Sequence, residues 1–335
     1  MIAVVRPKPE WLALLSQNPV LKDMPKMVIG QQPVEVYKKF CSGKWTPVMQ
    51  PAKESNKAKI QQELHNLFRG TKVSHVLMTQ KLLWYSTVVE AVCTSLRIPL
   101  TWCEAFFDDR IIMDRTGLQY CKDNDLKFES IGPVEPPLLP KSTREPQPGA
   151  TSVADLQAKV PEPRDAVVVL GQTPYDMSLK ERPGIGYPEW MDTLFRSNPG
   201  TRFLFKHHPL ARTPGIEKHS NVTVVNASLD SLFAAFELFA SFSSTTVFEG
   251  MIRGKSFATG GYHFCSGLTL PVHAAGDASD LVEKLRKHTF SADVWARRLF
   301  FICNRYTIPL NSPHLWERLN QASGVFFEGH KSTLV

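Results

Sequence analysis

The sequence is short of several features that would have settled its class at once. It has 6 cysteines in 335 residues (Cys41, Cys93, Cys103, Cys121, Cys265 and Cys303), and no two form a C-x-x-C pair. That spacing argues against a zinc ribbon or a disulfide framework and predicts buried free thiols in a reducing compartment. No apolar run approaches the ~20 residues of a membrane-spanning helix. The start, MIAVVRPKPEWLALL, has a basic pair but no uninterrupted apolar stretch or small-residue cleavage site, so it does not read as a signal peptide. A cytoplasmic protein is the expectation. There is no repeat of fixed period, no RNP-type strand and no zinc-finger spacing, which removes the usual signatures of nucleic-acid binding.

What is present is proline, 25 residues, and positive charge, a net +7. Charged residues make up 21% and hydrophobic ones 43%, a globular balance. The length allows about two domains. The charge is local: residues 1–81 hold 13 Lys and Arg against 5 Asp and Glu, or +8, and the other 254 residues sum to −1. Such a face suits an anionic glycan or the inner surface of a membrane better than nucleic acid.

The proline excess is local too. Between Pro133 and Pro163 there are 8 prolines in 31 residues, without helical or strand periodicity. Proline removes a donor and fixes φ, so this stretch is expected to be an extended linker. The expected organisation is a first domain over 1–132, a linker over 133–163 and a second domain over 164–335, whose last helices are candidates to cross back.

Before the linker, Ile60, Leu64, Leu67 and Phe68 repeat at helical spacing over 57–70. A strand at 73–78, a buried helix at 82–96 and a strand at 99–107 follow, an order that implies a parallel sheet covered by helices. After the linker the alternation is clearer. Strands are expected at 166–172, 201–209, 238–243 and 255–261. Helices are expected at 188–200, 229–237 and 245–254, then around 278–288 and 291–304. The predicted fold class is therefore α/β, with two Rossmann-like domains facing a central cleft, as in GT-B-type glycosyltransferases.

In such sheets, ligands sit beyond the C-terminal strand ends, and the residues there are polar. Gln172 and Asp176 follow the 166–170 strand. Lys206 and His208 follow 202–205, and two-residue alternation puts them on one side, with His207 on the other. Ser243, Ser244, Thr245 and Thr246 open a helix, where free N–H groups favour a phosphate. Glu249, one turn in, is placed to accept from ribose hydroxyls. Glu104 follows the 99–103 strand, and Asp114 lies in IIMDRTGLQY. Two carboxylates, one nucleophile and one acid/base, are what a retaining glycosyl transfer uses.

Together these strings resemble the bacterial capsule polysaccharide synthesis family, which includes retaining β-Kdo transferases. The resemblance covers about half the chain, from Trp102 to Thr269. It rests on CEAFF, IIMDRTGLQY, GQTPYDMS, KHHP, SSTTVFEGMIRGKSFATGG and YHFCSGLT in the family's order. It implies that CMP-β-Kdo is the donor, with Kdo passed to a lipid-linked glycan acceptor in capsule or O-antigen synthesis. It implies Asp176 as nucleophile and Glu104 as acid/base. Lys206 and His208 would hold the phosphate and Ser244, Thr245 and Glu249 the nucleotide, while Gln172 would orient the sugar or Asp176. No metal or other cofactor is expected, because CMP leaves readily and phosphate stabilisation with one placed nucleophile would suffice. The chain departs from the family where Glu104-Ala105-Phe106-Phe107 replaces Glu-Asp-Gly-Phe and where Val247-Phe248-Glu249 replaces Gly-Phe-Glu. Two other readings are a transferase of another nucleotide sugar and a non-catalytic capsule assembly or export component.

Overall fold

The computed structural model describes residues 1–5, 18, 21, 24–30, 45–49, 54–78, 83–106, 110–114, 152–158, 160, 163–173, 185–209, 211–261, 265–289, 292–303, 307–309, 312–315 and 317. The chain divides into two compact units, one made of 1–118 with 301–335 and the other of 119–300.

The first unit holds β1 (Ile2–Val5), β2 (Lys26–Gly30), β3 (Trp45–Met49), α1 (Lys57–Gly70), β4 (His75–Met78), α2 (Leu83–Leu96), β5 (Leu100–Phe106) and β6 (Arg110–Asp114). A strand from near the chain's end, Thr307–Pro309, completes the sheet in the order β3-β2-β1-β4-β5-β6 and then 307–309. The five strands from β3 to β5 run parallel. β1 is buried on both faces, as the IAVV run requires of a central parallel strand. α1 buries Ile60, Leu64 and Phe68, which recur every four residues along one face, and packs on α2. β3 carries Pro47, which weakens its signal as a strand; it is tolerated because β3 is an edge.

One expectation fails here. Glu104 does not follow its strand. β5 continues to Phe106 because β6 returns antiparallel beside it, and Glu104 is opposite Ile112 within that ladder. The hairpin partner supplies the backbone bonds that keep 103–106 extended.

The second unit holds α3 (Val153–Ala158), β7 (Val167–Leu170), α4 (Tyr187–Arg196), β8 (Phe203–Lys206), β9 (Val222–Val224), α5 (Leu229–Ala235), β10 (Leu238–Ser241), α6 (Thr246–Met251), β11 (Ser256–Thr259), β12 (Leu270–Pro271), α7 (Leu281–Lys287) and α8 (Ala292–Phe301). Its six strands are all parallel, in the order β9-β8-β7-β10-β11-β12. This is the doubly wound Rossmann order. On one face Val167, Val169, Phe203, Phe205, Ala240 and Ala258 pack against Trp190 and Leu194 of α4 and Leu281 and Leu285 of α7. On the other face Phe239 stacks on Phe257 at 5.2 Å and meets Phe233 of α5 at 5.0 Å.

α3 corrects the reading of 133–163 as extended throughout. The segment from 149 to 160 is free of proline. Within it Ser152 Oγ caps the Asp155 N–H at 3.1 Å, and Leu156 is fully buried. The stretch 133–151 lies outside the described residues.

Candidate functional site

In the second sheet the strand order reverses direction between β7 and β10, and the crevice beyond their C-terminal ends is where this architecture binds ligands. Gln172 leaves β7 and Ser243 leaves β10. They are 71 residues apart in sequence yet joined side by side by hydrogen bonds. The Ser243 N–H donates to Gln172 Oε1 at 2.7 Å, and Gln172 Nε2 donates to Ser243 Oγ at 3.2 Å. The Gln172 N–H donates to the Tyr187 phenol oxygen at 2.8 Å. Burial pushes the Tyr187 phenol above its ordinary range, so it stays neutral. Gly171 lets β7 and β8 close together here: a Cβ on it would sit 2.9 Å from Phe205 Cζ and 3.0 Å from the Lys206 carbonyl oxygen.

Beyond Ser243 the chain enters α6. Ser244 Oγ caps the Thr246 N–H at 3.2 Å, and the N–H groups of Val247 and Phe248 bond back to the Ser244 and Thr245 carbonyls. Among the described residues, the N–H groups of Ser244 and Thr245 donate to no protein acceptor. Those two donors, with the half-buried Ser244 and Thr245 side chains, form a small polar lip at the strand ends. Glu249 is buried within α6, and its carbonyl accepts from Arg253 at 2.7 Å.

Lys206 ends β8. Its register partner is Leu170, which in turn pairs with Ser241, so Lys206 and Ser241 share a row two strands apart, about 10 Å. Alternation puts this row on the sheet face opposite the α4 core. Burial holds the Lys206 ammonium below its usual pKa. An ammonium partly withdrawn from solvent interacts more strongly with an anion than an exposed one does. His207 faces the other way, edge-on to Phe205 at 5.1 Å, and its Nδ1 accepts the Thr213 N–H at 3.1 Å. His208 is half-buried, and its carbonyl accepts the Ala211 N–H.

Donor N–H groups, hydroxyls and a cation on one sheet edge can hold a phosphate and stabilise the charge that develops as it leaves. Asp176 lies outside the described residues. Glu104 and Asp114 belong to the first unit, where backbone placement is described and the side chains lie outside it. Asp123-Asn124-Asp125, which has the Asp-x-Asp spacing of metal-dependent transferases, also lies outside the described residues. The four cysteines among the described residues, Cys93, Cys103, Cys265 and Cys303, are free and buried. Burial raises each thiol, Cys93 to about 12 and Cys303 to about 11, so none is a nucleophile at neutral pH. Sequence patterning missed Tyr187 and the Gln172–Ser243 clamp, because a bond spanning 71 residues leaves no local spacing to read.

Two doubly wound sheets, one in each unit, make this a protein of the GT-B-type α/β class. No protein-family model and no curated protein matches the chain. Among solved structures it resembles Thermosulfurimonas dismutans KpsC, described as a β-Kdo 2,7 transferase, with a TM-score of 0.54 and 14% identity over 92% of each chain. It also matches MnaA of S. aureus bound to UDP, with a TM-score of 0.47 and 9% identity over 98% of each chain. The KpsC likeness, at that identity, establishes a shared fold. Among the described residues, no helix is long and apolar enough to cross a membrane.

Proposed function

We propose that this chain is a retaining β-Kdo glycosyltransferase that takes Kdo from CMP-β-Kdo and passes it to a glycan acceptor in capsule or O-antigen synthesis. The observation that carries this reading is the strand-end site of the second sheet. Gln172 clamps Ser243 just past β10, the Ser244 and Thr245 N–H groups that follow donate to no protein acceptor among the described residues, and Lys206 ends β8 of the same sheet. The motif order and the fold shared with a β-Kdo transferase support it.

In this reading the CMP phosphate sits against the Ser244 and Thr245 N–H groups, with Lys206 and His208 neutralising its charge. Glu249 takes the ribose hydroxyls. The Asp176 carboxylate attacks the anomeric carbon as the bond to CMP breaks, and the phosphate leaves with the electron pair. A glycosyl-enzyme ester results. Glu104 then removes the acceptor hydroxyl proton, and the acceptor oxygen displaces Asp176 from the same carbon. Two displacements keep the β configuration. The basic excess of residues 1–81 serves the acceptor side, an anionic glycan or the membrane face on which lipid-linked glycans are built.

The test is calorimetric titration of the full chain with CMP, UDP and GDP, followed by assay of Asp176→Asn with CMP-Kdo. The expectation is preference for CMP and loss of transfer in Asp176→Asn with CMP affinity retained. Preference for a diphosphate nucleotide would overturn the donor, and normal turnover by Asp176→Asn would overturn the nucleophile.

A further inference from the structure

Two helices of the first unit end in the same motif, and both place a cation where the backbone favours glycine. After α1 the Lys72 N–H donates to the Arg69 carbonyl at 3.3 Å and the Val73 N–H to the Phe68 carbonyl at 3.0 Å. After α2 the Arg97 N–H donates to the Thr94 carbonyl at 3.2 Å and the Ile98 N–H to the Cys93 carbonyl at 2.8 Å. This pair of bonds puts one residue in the left-handed region, with φ of 52° at Lys72 and 54° at Arg97. A residue with a Cβ is strained there and glycine is not. α6 closes with the same two bonds through Gly254, at φ 75°. Among the described residues, Asp280 is the one other non-glycine with positive φ. The helix dipole favours a cation at a C-terminus, but Arg69 already supplies one in the last turn of α1 without that strain.

The two turns are neighbours. Val76 of β4 pairs with Leu100 of β5, and the Val76 N–H donates to the Pro99 carbonyl at 2.9 Å, so residues 69–74 and 94–99 meet at the N-terminal edge of the sheet. Their sequences, RGTKVS and TSLRIP, hold three cations and no acid. Arg69, Lys72 and Arg97 are exposed, and none has an acidic partner among the described residues. Leu96 and Ile98 beside them are half-exposed and rest on the core under α1 and α2. Doubly wound sheets hold their ligands at the opposite, C-terminal ends of the strands, so these cations serve no substrate bound there.

We propose that this edge docks on an anionic lipid bilayer, with Arg69, Lys72 and Arg97 meeting the headgroups and Leu96 and Ile98 between them. Charge at the two turns is kept at the expense of strain that glycine would remove, and binding offsets it. Three like charges without counter-ions suit a surface of many anions, and neither turn has an aromatic or amide side chain with which to recognise a sugar ring. The inference deepens the proposed function and rests on it: of the two partners given there for the basic region, these residues fit the membrane.

The test is sedimentation of the full chain with vesicles of phosphatidylcholine, with and without phosphatidylglycerol. The chain should bind the anionic vesicles alone, and less as salt rises. Lys72→Gly and Arg97→Gly should each weaken that binding about fivefold, and together about 25-fold. The double variant should melt no lower than the original, because glycine suits both turns. Arg202→Gln, which removes an exposed cation of the second unit, should change vesicle binding by less than about twofold. Equal binding to the two kinds of vesicle, full binding by the double variant, or an equal loss in Arg202→Gln would overturn the proposal. Polygalacturonate, a soluble anionic glycan, should bind the original and the double variant alike; a loss there as large as on vesicles would assign the edge to a glycan instead. Transfer from CMP-Kdo to a water-soluble acceptor should be unchanged in the double variant, and a fall would place the cations at the acceptor site. If the original chain gives no such transfer, the donor assignment fails and the vesicle results still decide this edge.

Discussion

Replacing Gly260 with Ala should strain the core directly beneath the site, and the strain can be worked out. Gly260 follows β11, and its conformation is ordinary; what matters is space. A Cβ there would stand 2.5 Å from Phe242 Cδ2 and 2.6 Å from Trp190 Cδ1 and Nε1. The shortest of these falls 0.9 Å below the 3.4 Å at which ordinary contact begins. Neither ring can step aside freely. Trp190 and Phe242 are at most 1% exposed, they meet edge-on at 5.6 Å, and Tyr187 holds the other side of Phe242. Overpacking of this kind costs about 2 kcal/mol. For a unit the size of 119–300, that lowers the melting temperature by roughly 4–8 °C. Circular dichroism melts of the full chain would read it. Relief is also predicted. Trp190 Nε1 has no hydrogen-bond partner among the described residues, so Trp190→Phe removes ring atoms at the clash without breaking a bond. The double variant should lose less than its two singles added together. A Gly260→Ala chain that melts within about 1 °C of the original would refute the steric reasoning, and so would simple additivity in the double variant.

Other outcomes can be checked independently. Burial lowers the Lys206 pKa, so the unfolded chain holds that proton more tightly and stability rises as pH climbs toward 10.5. Lys206→Met should therefore leave the melt unchanged or raise it at neutral pH, while weakening CMP at least tenfold. In the original chain, CMP binding at alkaline pH below 10.5 should take up protons, visible as a buffer-dependent heat. His207 and His219 are both held below 6.5, chiefly by burial, so acidification protonates the unfolded chain first and stability falls as pH drops through 6.5. A His207→Gln, His219→Gln double variant should flatten melting temperature against pH below 6.5; an unchanged slope would remove both histidines from the account. Asn198→Ala should cost about 3 kcal/mol in urea denaturation, since the buried amide donates to the Leu194 and Ala278 carbonyls and accepts the Leu281 N–H.

The alternation of strands and helices is legible in the amino-acid order, because that pattern is written locally. Val167–Leu170 is a buried parallel strand and reads as one, an unbroken apolar run; Lys57–Gly70 is amphipathic and reads as a helix. Chain order also says that Gln172, Lys206 and Ser243 come at the ends of their strands in the second sheet, whereas Glu104, read the same way, lies inside its strand. Short edge strands such as Val222–Val224 and Leu270–Pro271 escaped, too brief to show a period. So did β6 and its antiparallel return beside Glu104, because pairing partners are chosen by register across the sheet. Folding is what brings Thr307–Pro309 into the first sheet, Gln172 onto Ser243 and Tyr187 onto Gln172. Each of these joins residues that are distant in sequence. Such bonds form because burial makes an unpaired polar group expensive, and burial is a property of the folded chain, not of any segment of it.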